Sequence, residues 1–430
     1  MKAKLSTVVV VAVLLSLLLP VGAPAQEQVT LRFSDWHLTE DVWNKSLTEA
    51  MAIFEEEHPN IKVEMEPVSY GEKETKYTVE SEAGAAPDVF HLAAFSFRSF
   101  FEKGYASPLD DFVAAEGAGF LDPWYETALD ICSYEGQLMC MPGDYMSMVL
   151  VYNTKLFEEA GLDPDDPPET WDEFLEYAQA LAKDTDGDGT TDQWAFGMVG
   201  AKDPGFPLRF NSVIWTFGAD FLTPDLEHSA LDSPEALEAF TFYTELYTKG
   251  LVPPGATTAN PQDVRTQLAH QKVAMLIGSG WTAPIVDGIN PDLNAFEVLQ
   301  AAPVPYKTDQ VTTAWLSGWF ISPTSKHPEE AWELVKFITS KEMEEKWFRE
   351  DRVTSSRKDV SEEYLELLED KFAKVIGGQL PTARFEPQIA EWPEIIDAFT
   401  TALHEAMIEA KTPEQSLADV HEVINEILAR

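Results

Sequence analysis

Residues 137–174 read QLMCMPGDYMSMVLVYNTKLFEEAGLDPDDPPETWDEF. Met146 to Tyr152 is an apolar run broken only by Ser147. A short apolar run bounded by turn residues reads as a strand buried on both faces. Pro142-Gly143-Asp144 just before it predicts a bend in the backbone. Beyond Tyr152-Asn153 a short helix is expected from about Lys155 to Ala160, stopped by Gly161. A proline-rich loop then reaches Thr170. Its hydroxyl can accept from the Glu173 amide while the Glu173 carboxylate reaches back, a capping box that starts the next helix.

The same alternation of short strands and helices runs from the N-terminal side. Val29 to Phe33 reads as a strand, followed by Ser34-Asp35-Trp36-His37. A helix is expected from about Glu40 to Glu57, with Trp43, Leu47, Ala50 and Phe54 on one stripe. Ile61, Val63 and Met65 alternate with charged residues, which predicts a half-buried strand. Asp88 to Leu92 enters a third. Strand-helix-strand-helix-strand predicts a parallel sheet with crossover helices, and in such sheets ligands sit beyond the carboxyl ends of the strands. Trp36 and His91 lie at or just past such ends. Later in the chain, Val273 to Ile277 and Ala314 to Ile321 read as strands. Ser233-Pro234 and Thr412-x-x-Gln415 read as helix starts.

The string YNTKLFEEAGLDPDDPPETWDEF, with Pro168 and Trp171 in place, resembles the signature of extracellular solute-binding proteins of ABC sugar importers, the maltose-binding-protein type. Ser325 to Ser340 and the C-terminal helix pair are similar to the same family, so the resemblance covers nearly the whole chain. It implies an α/β, two-lobed periplasmic-binding-protein fold of type II, with a ligand cleft between the lobes and three crossovers at the hinge. With the Pro142-Gly143 break, the expected lobes are 26–142 plus 317–357 and 143–316 plus 358–430. The implied function is capture of a carbohydrate, an oligosaccharide above all, and its delivery to a membrane permease by a monomeric protein.

Composition agrees with an exported binding protein. Lys2 and Lys4 precede an apolar run from Val8 to Leu19, and Ala23-Pro24-Ala25 supplies a small-x-small cleavage site, so residues 1–25 read as a secretory signal. The run is too short to span a bilayer, and no cysteine stands by the cleavage site to carry a lipid. The expected location is the periplasm or the medium. With 74 acidic against 30 basic residues the formal charge is −44, which repels phosphate backbones and excludes nucleic acid as a partner. Cys132 and Cys140 flank a hairpin signal, Tyr134-Glu135-Gly136-Gln137. In an oxidising compartment a disulfide across that hairpin is expected.

Aromatic faces stack on the C–H patches of sugars while carboxylates and amides take the hydroxyl rim. The chain has 12 tryptophans, and those at strand ends are the candidates: Trp36, Trp215, Trp281 and Trp319. Asp88, His91, Asp144 and Tyr145 join them, Asp88 and Asp144 because the resemblance places them by the cleft. Trp43, Trp171 and Trp332 fall on helix stripes and read as core. No GxSxG, HExxH, CxxC or glycine-rich phosphate loop occurs, which favours binding over catalysis. A secreted glycoside hydrolase or lyase would share the aromatic cleft. A polyamine, a peptide or a glycerol phosphate ester are other solutes for such a cleft, the last disfavoured by the scarcity of Lys and Arg. Asp184, Asp186, Asp188, Thr190 and Asp192 match the first part of an EF-hand-type loop, with Gly189 at its sixth position, and predict a structural calcium site. The twelfth position is Ala195, not the usual Glu. That loop also suggests a third class of function, a calcium-dependent carbohydrate adhesion module with a surface site.

Overall fold

The computed structural model describes residues 28–351, 353–361 and 371–430. The expected signal at 1–25 lies outside the described residues. Among the described residues the strands are β1 (Val29–Asp35), β2 (Ile61–Pro67), β3 (Val89–Ala93), β4 (Ser133–Tyr134), β5 (Gln137–Leu138), β6 (Met141–Ser147), β7 (Val149–Asn153), β8 (Trp194–Gly197), β9 (Val273–Gly278), β10 (Leu299–Ala302), β11 (Thr312–Ile321) and β12 (Ala383–Arg384).

They form two separate sheets and one small hairpin. The first sheet runs β12-β11-β3-β1-β2, with β6 also paired to β11. In it β1 lies parallel to β2 and β3, as the strand-helix-strand pattern requires, while β11 runs antiparallel to β3 and β6. The second sheet runs β10-β7-β9-β8. Its strands are buried along almost their whole length, which fits near-continuous apolar runs such as Val273 to Ile277. The helix Asp41–Glu57 covers the first sheet through the predicted stripe of Trp43, Leu47, Ala50 and Phe54. Both expected capping boxes form, at Thr170/Glu173 and Thr412/Gln415. Among the described residues no helix is long and apolar enough to cross a membrane.

The run from Met146 to Tyr152 is not one strand. It is the end of β6 and most of β7, and each belongs to a different sheet, with Met148 alone between them. The backbone at that crossing is held by side chains as well as strands. Met148 donates to the Thr313 carbonyl and its own carbonyl accepts the Thr312 hydroxyl, at 2.9 and 2.7 Å. The Ser147 hydroxyl donates to Ile376, and the Ser147 carbonyl accepts from Ser279, both at 2.8 Å. Ser147, the one polar residue in the run, is therefore the residue that ties the crossing to its neighbours.

The lobe boundaries shift accordingly. Pro142-Gly143 does not end the first lobe but sits inside β6. Pro142 is tolerated because the β6–β11 register slips between Leu316 and Gly318, a bulge that needs no donor there. Gly143 is needed for close approach: a Cβ on it would stand 2.7 Å from Ser317 Oγ and 3.1 Å from Trp319 Nε1. The chain leaves the first sheet at Met148 and returns between Ala302 and Thr312, not at Ser317. The helix Lys341–Asp351 packs on Asp41–Glu57, and residues 353–361 stay with the first lobe, where Tyr145 donates to the Thr354 carbonyl and Ser356 to the Gly143 carbonyl. Residues from 371 onward pack mainly on the second sheet and on the helix Pro234–Thr248, with β12 reaching back to the edge of β11.

Cys132 and Cys140 are free thiols, both buried, and the expected disulfide is not formed. The β4–β5 hairpin pairs Ser133 with Leu138, so the position facing Cys132 is Met139, whose amide donates to the Cys132 carbonyl at 2.9 Å. Cys140 is one residue out of register, yet its thiol lies within hydrogen-bond reach of the Cys132 thiol, and burial together with that neighbour raises it. Unreduced mass spectrometry of the denatured protein should find two alkylatable thiols; a mass short by two hydrogens and no alkylation would contradict this arrangement.

Candidate functional site

The carboxyl end of β1 carries Asp35, and Trp36–Thr39 makes one tight helical turn beyond it, with the Asp35 carboxylate accepting the His37 amide at 2.9 Å. Asp35 also lies 3.4 Å from His37 Nδ1 and 3.3 Å from His91 Nδ1. Its burial is complete, which opposes ionisation, but the two imidazoles overcome this and hold it well below the usual carboxylate range. Burial likewise works against a charge on His37, yet Asp35 wins and raises His37 to about 9. His91 goes the other way: burial dominates and keeps it neutral. The three thus form a compact pair of one anion and one cation with a neutral imidazole beside them.

His91 is the middle of a three-ring stack. Trp36 covers one face at 4.1 Å between centroids and Trp319 the other at 3.7 Å, with interplanar angles of 13° and 10°. Trp36, one leaf of the stack, lines a cleft of about 350 Å3. The first lobe contributes Trp36, His37, Glu40, Tyr70 and Asp144 to this cleft, together with Trp315 from β11. The second lobe contributes Trp281, which meets Trp315 edge-to-face at 5.4 Å, and Arg209, Asn260 and Arg265. A neighbouring chamber of about 400 Å3 shares Gly71 and Asp203 with it and is walled by Phe95, Trp392 and Glu386. Burial raises the acid groups of Glu40 and Asp144, and lifts Glu386 to about 7. Hydroxyl-rich ligands are bound by such acid groups, which accept or donate as the partner requires.

Of the residues singled out from sequence, Trp36, Asp144 and Trp281 line the cleft. His91 and Trp319 stand behind it, buried in the stack. Asp88, Tyr145 and Trp215 lie off the walls of both chambers. Asp88 is at the amino end of β3, opposite the cleft, where it takes the Arg32 amide at 2.9 Å and the Ser325 hydroxyl at 2.6 Å. Tyr145 is buried against Phe385, its hydroxyl 3.2 Å from Thr127. Trp215 is on the helix Gly205–Thr216, not at a strand end, with its indole N–H on Asp220 and the Arg384 guanidinium over its ring. Sequence reasoning missed Tyr70, Trp315, Arg209 and Arg265. Trp315 had a signal: it shares a strand face with Trp319, four residues on. Trp43, read as core, is buried and also touches the cleft.

The acidic loop at 184–192 is exposed. Asp184 accepts the amides of Gly187, Asp188 and Gly189 at 2.7, 3.2 and 2.7 Å. Carboxylate oxygens of Asp184, Asp186 and Asp188 lie within 4.8 Å of one another. Asp192 accepts from the Thr185 hydroxyl at 2.6 Å.

Residues 37–345 match the family described as bacterial extracellular solute-binding protein. The chain belongs to that family. Among solved structures, the solute-binding protein is similar to an ABC transporter solute-binding protein from Thermotoga lettingae bound with alpha-D-tagatose, at 27% identity and a TM-score of 0.83, covering 94% of this chain and 100% of that one. A binding protein of Brucella abortus is 28% identical over 89% of both chains. A maltotriose-binding protein of Pyrococcus abyssi is 21% identical over 60% of this chain and 52% of its own. The two-lobed α/β architecture expected from sequence is that of this solute-binding family.

Proposed function

We propose that this solute-binding protein is the substrate-binding component of an ABC importer. It captures a carbohydrate between its lobes, in the periplasm and as a monomer, and delivers it to the membrane permease. The observation that carries this reading is the wall of the cleft. Indole rings from both lobes, Trp36 and Trp281, face a space also edged by carboxyl, amide and guanidinium groups. Flat apolar faces with a polar rim match the C–H patches and hydroxyls of a sugar. The sugars named for the Thermotoga and Pyrococcus relatives support the same class. The adjoining chamber gives room beyond one ring, which favours an oligosaccharide. A ligand touching both lobes stabilises their closed arrangement, the form a permease can distinguish from the empty one. The test is calorimetric titration with mono- and oligosaccharides, followed by analysis of each glycan after incubation. One-to-one saturable binding of an unaltered glycan is expected. Release of new reducing ends would replace this reading with a glycoside hydrolase, and no binding by any glycan would reject it.

We also propose that the loop at 184–192 holds a structural calcium ion. The convergence of Asp184, Asp186 and Asp188 fits a hard cation that prefers clustered oxygens. Ala195 is buried in β8 and gives no twelfth-position ligand, so the site is weak and partly hydrated. A chelator should lower the melting temperature by a few degrees, in proportion to the occupancy lost, while sugar affinity stays nearly unchanged. An unshifted melt, with no heat on adding calcium, would reduce this stretch to a turn.

A further inference from the structure

In so acidic a chain a positive side chain has many partners to choose from. Arg32, Arg98, Arg349, Arg357, Arg384 and Arg430 each have a carboxylate within 4.0 Å. Among the described residues Arg209 and Arg265 have none, and both face the cleft. Arg209 is only 5% exposed, on a helix that is buried along its whole length. Its Nη1 donates to the Gly205 carbonyl at 2.6 Å, and its Nε has no hydrogen-bond partner. Arg265 spends its Nε on the Pro261 carbonyl at 3.0 Å. Its two terminal nitrogens have no partner among the described residues.

Two like charges thus stand near one another, Arg209 out of water and Arg265 half-buried. Burial, and after it the neighbouring Arg265, lowers Arg209 to about 10. Asp203 acts on both guanidiniums and Glu40 on Arg265, but from beyond ion-pair distance, and burial still leaves both lowered. Asp203 gives one oxygen to the Gly205 amide at 2.7 Å. Glu40 and Asp144 are displaced by burial toward their protonated forms. A buried guanidinium without an anion is costly, and its planar fork suits a carboxylate or phosphate held by two parallel hydrogen bonds. A neutral hydroxyl would satisfy the donors but not the charge.

Resting on the carbohydrate reading above, we infer that the ligand of this cleft carries an anionic group, a carboxylate as in a uronic acid or a phosphate ester, received by Arg209 and Arg265. The cleft is then polar end to end. The second lobe takes the anion, and Glu40 and Asp144 of the first lobe take hydroxyls. Stacking on Trp281 and Trp36 orients the ring between them. The scarcity of basic residues in the whole chain is no objection, because the two that matter are placed in the site.

The experiment is calorimetry on the secreted protein with matched triplets: glucose, glucuronic acid and glucose 6-phosphate, and the galactose set. An anionic member should bind about tenfold or more tightly than its neutral counterpart, and the advantage should shrink as salt is added. Preference for the uronic acid or for the phosphate tells which anion is used. Arg265→Gln, on a half-buried position, should abolish the preference while the melting temperature holds; Arg209→Gln does the same if it folds. Equal affinity for neutral and anionic members overturns the inference and leaves the carbohydrate reading standing. So does an Arg265→Gln variant that weakens both equally. Binding of none of the six overturns the inference, and the carbohydrate reading is then decided by the oligosaccharide titration above.

Discussion

Asp35→Asn is expected to destabilise the protein by about 3 kcal/mol, the cost of removing one partner from a buried ion pair. Asp35 is wholly buried and serves three groups: the His37 amide, the His37 imidazole and the His91 imidazole. The loss should depend on pH in a definite way. The folded Asp35 ionises more readily than its ordinary value of 3.8, so its contribution is present above that value and is lost as the solution becomes more acid. His37 is raised from 6.5 to about 9, so its contribution is full below 6.5 and disappears as pH climbs through 9. Chemical denaturation of wild type and variant should therefore differ most from roughly pH 4 to pH 6.5 and converge toward pH 9 and above. A gap that stays constant across that range would mean that packing, not charge, makes Asp35 necessary.

Trp281→Ala is expected to weaken carbohydrate binding by about tenfold or more, the loss of one aromatic face from a sugar, on the order of 1–3 kcal/mol. Trp281 is only partly buried and its intramolecular contact is an edge-to-face approach to Trp315. The melting temperature should fall little. Trp36→Ala differs. Its ring is one leaf of the stack with His91 and packs against Tyr70, so it should lose stability and affinity together. Titration and thermal melting of both variants separate the two cases. Normal binding by Trp281→Ala would place the ligand elsewhere.

Much of the fold is legible in local patterns. The parallel β1-β2-β3 arrangement follows from alternating strands and helices, and the capping boxes at Thr170 and Thr412 form as their spacing requires. The hinge is where pattern misleads. Met146 to Tyr152 is apolar but for Ser147 because both sheets bury it, and periodicity cannot reveal that two sheets share one run. Pro142-Gly143 looks like a break, yet it marks a bulge and a close approach of Ser317 and Trp319. The site divides in the same manner. Trp36 follows from its place after a strand, and Trp281 from the family resemblance. Asp88 reads from sequence as the start of its strand, the end away from the ligand, and only the resemblance places it by the cleft. Arg209 and Arg265 sit on helices with no motif around them, and only the folded chain shows that they lack partners.

Hydrogen–deuterium exchange with and without the tightest-binding sugar tests the two-lobed capture most directly. Protection is expected on both sides of the cleft at once: around Trp36 to Trp43 and Tyr70 in the first lobe, and around Asp203 to Arg209, Asn260 to Arg265 and Trp281 in the second. Protection confined to one lobe, or to the acidic loop at 184–192, would contradict capture between the lobes.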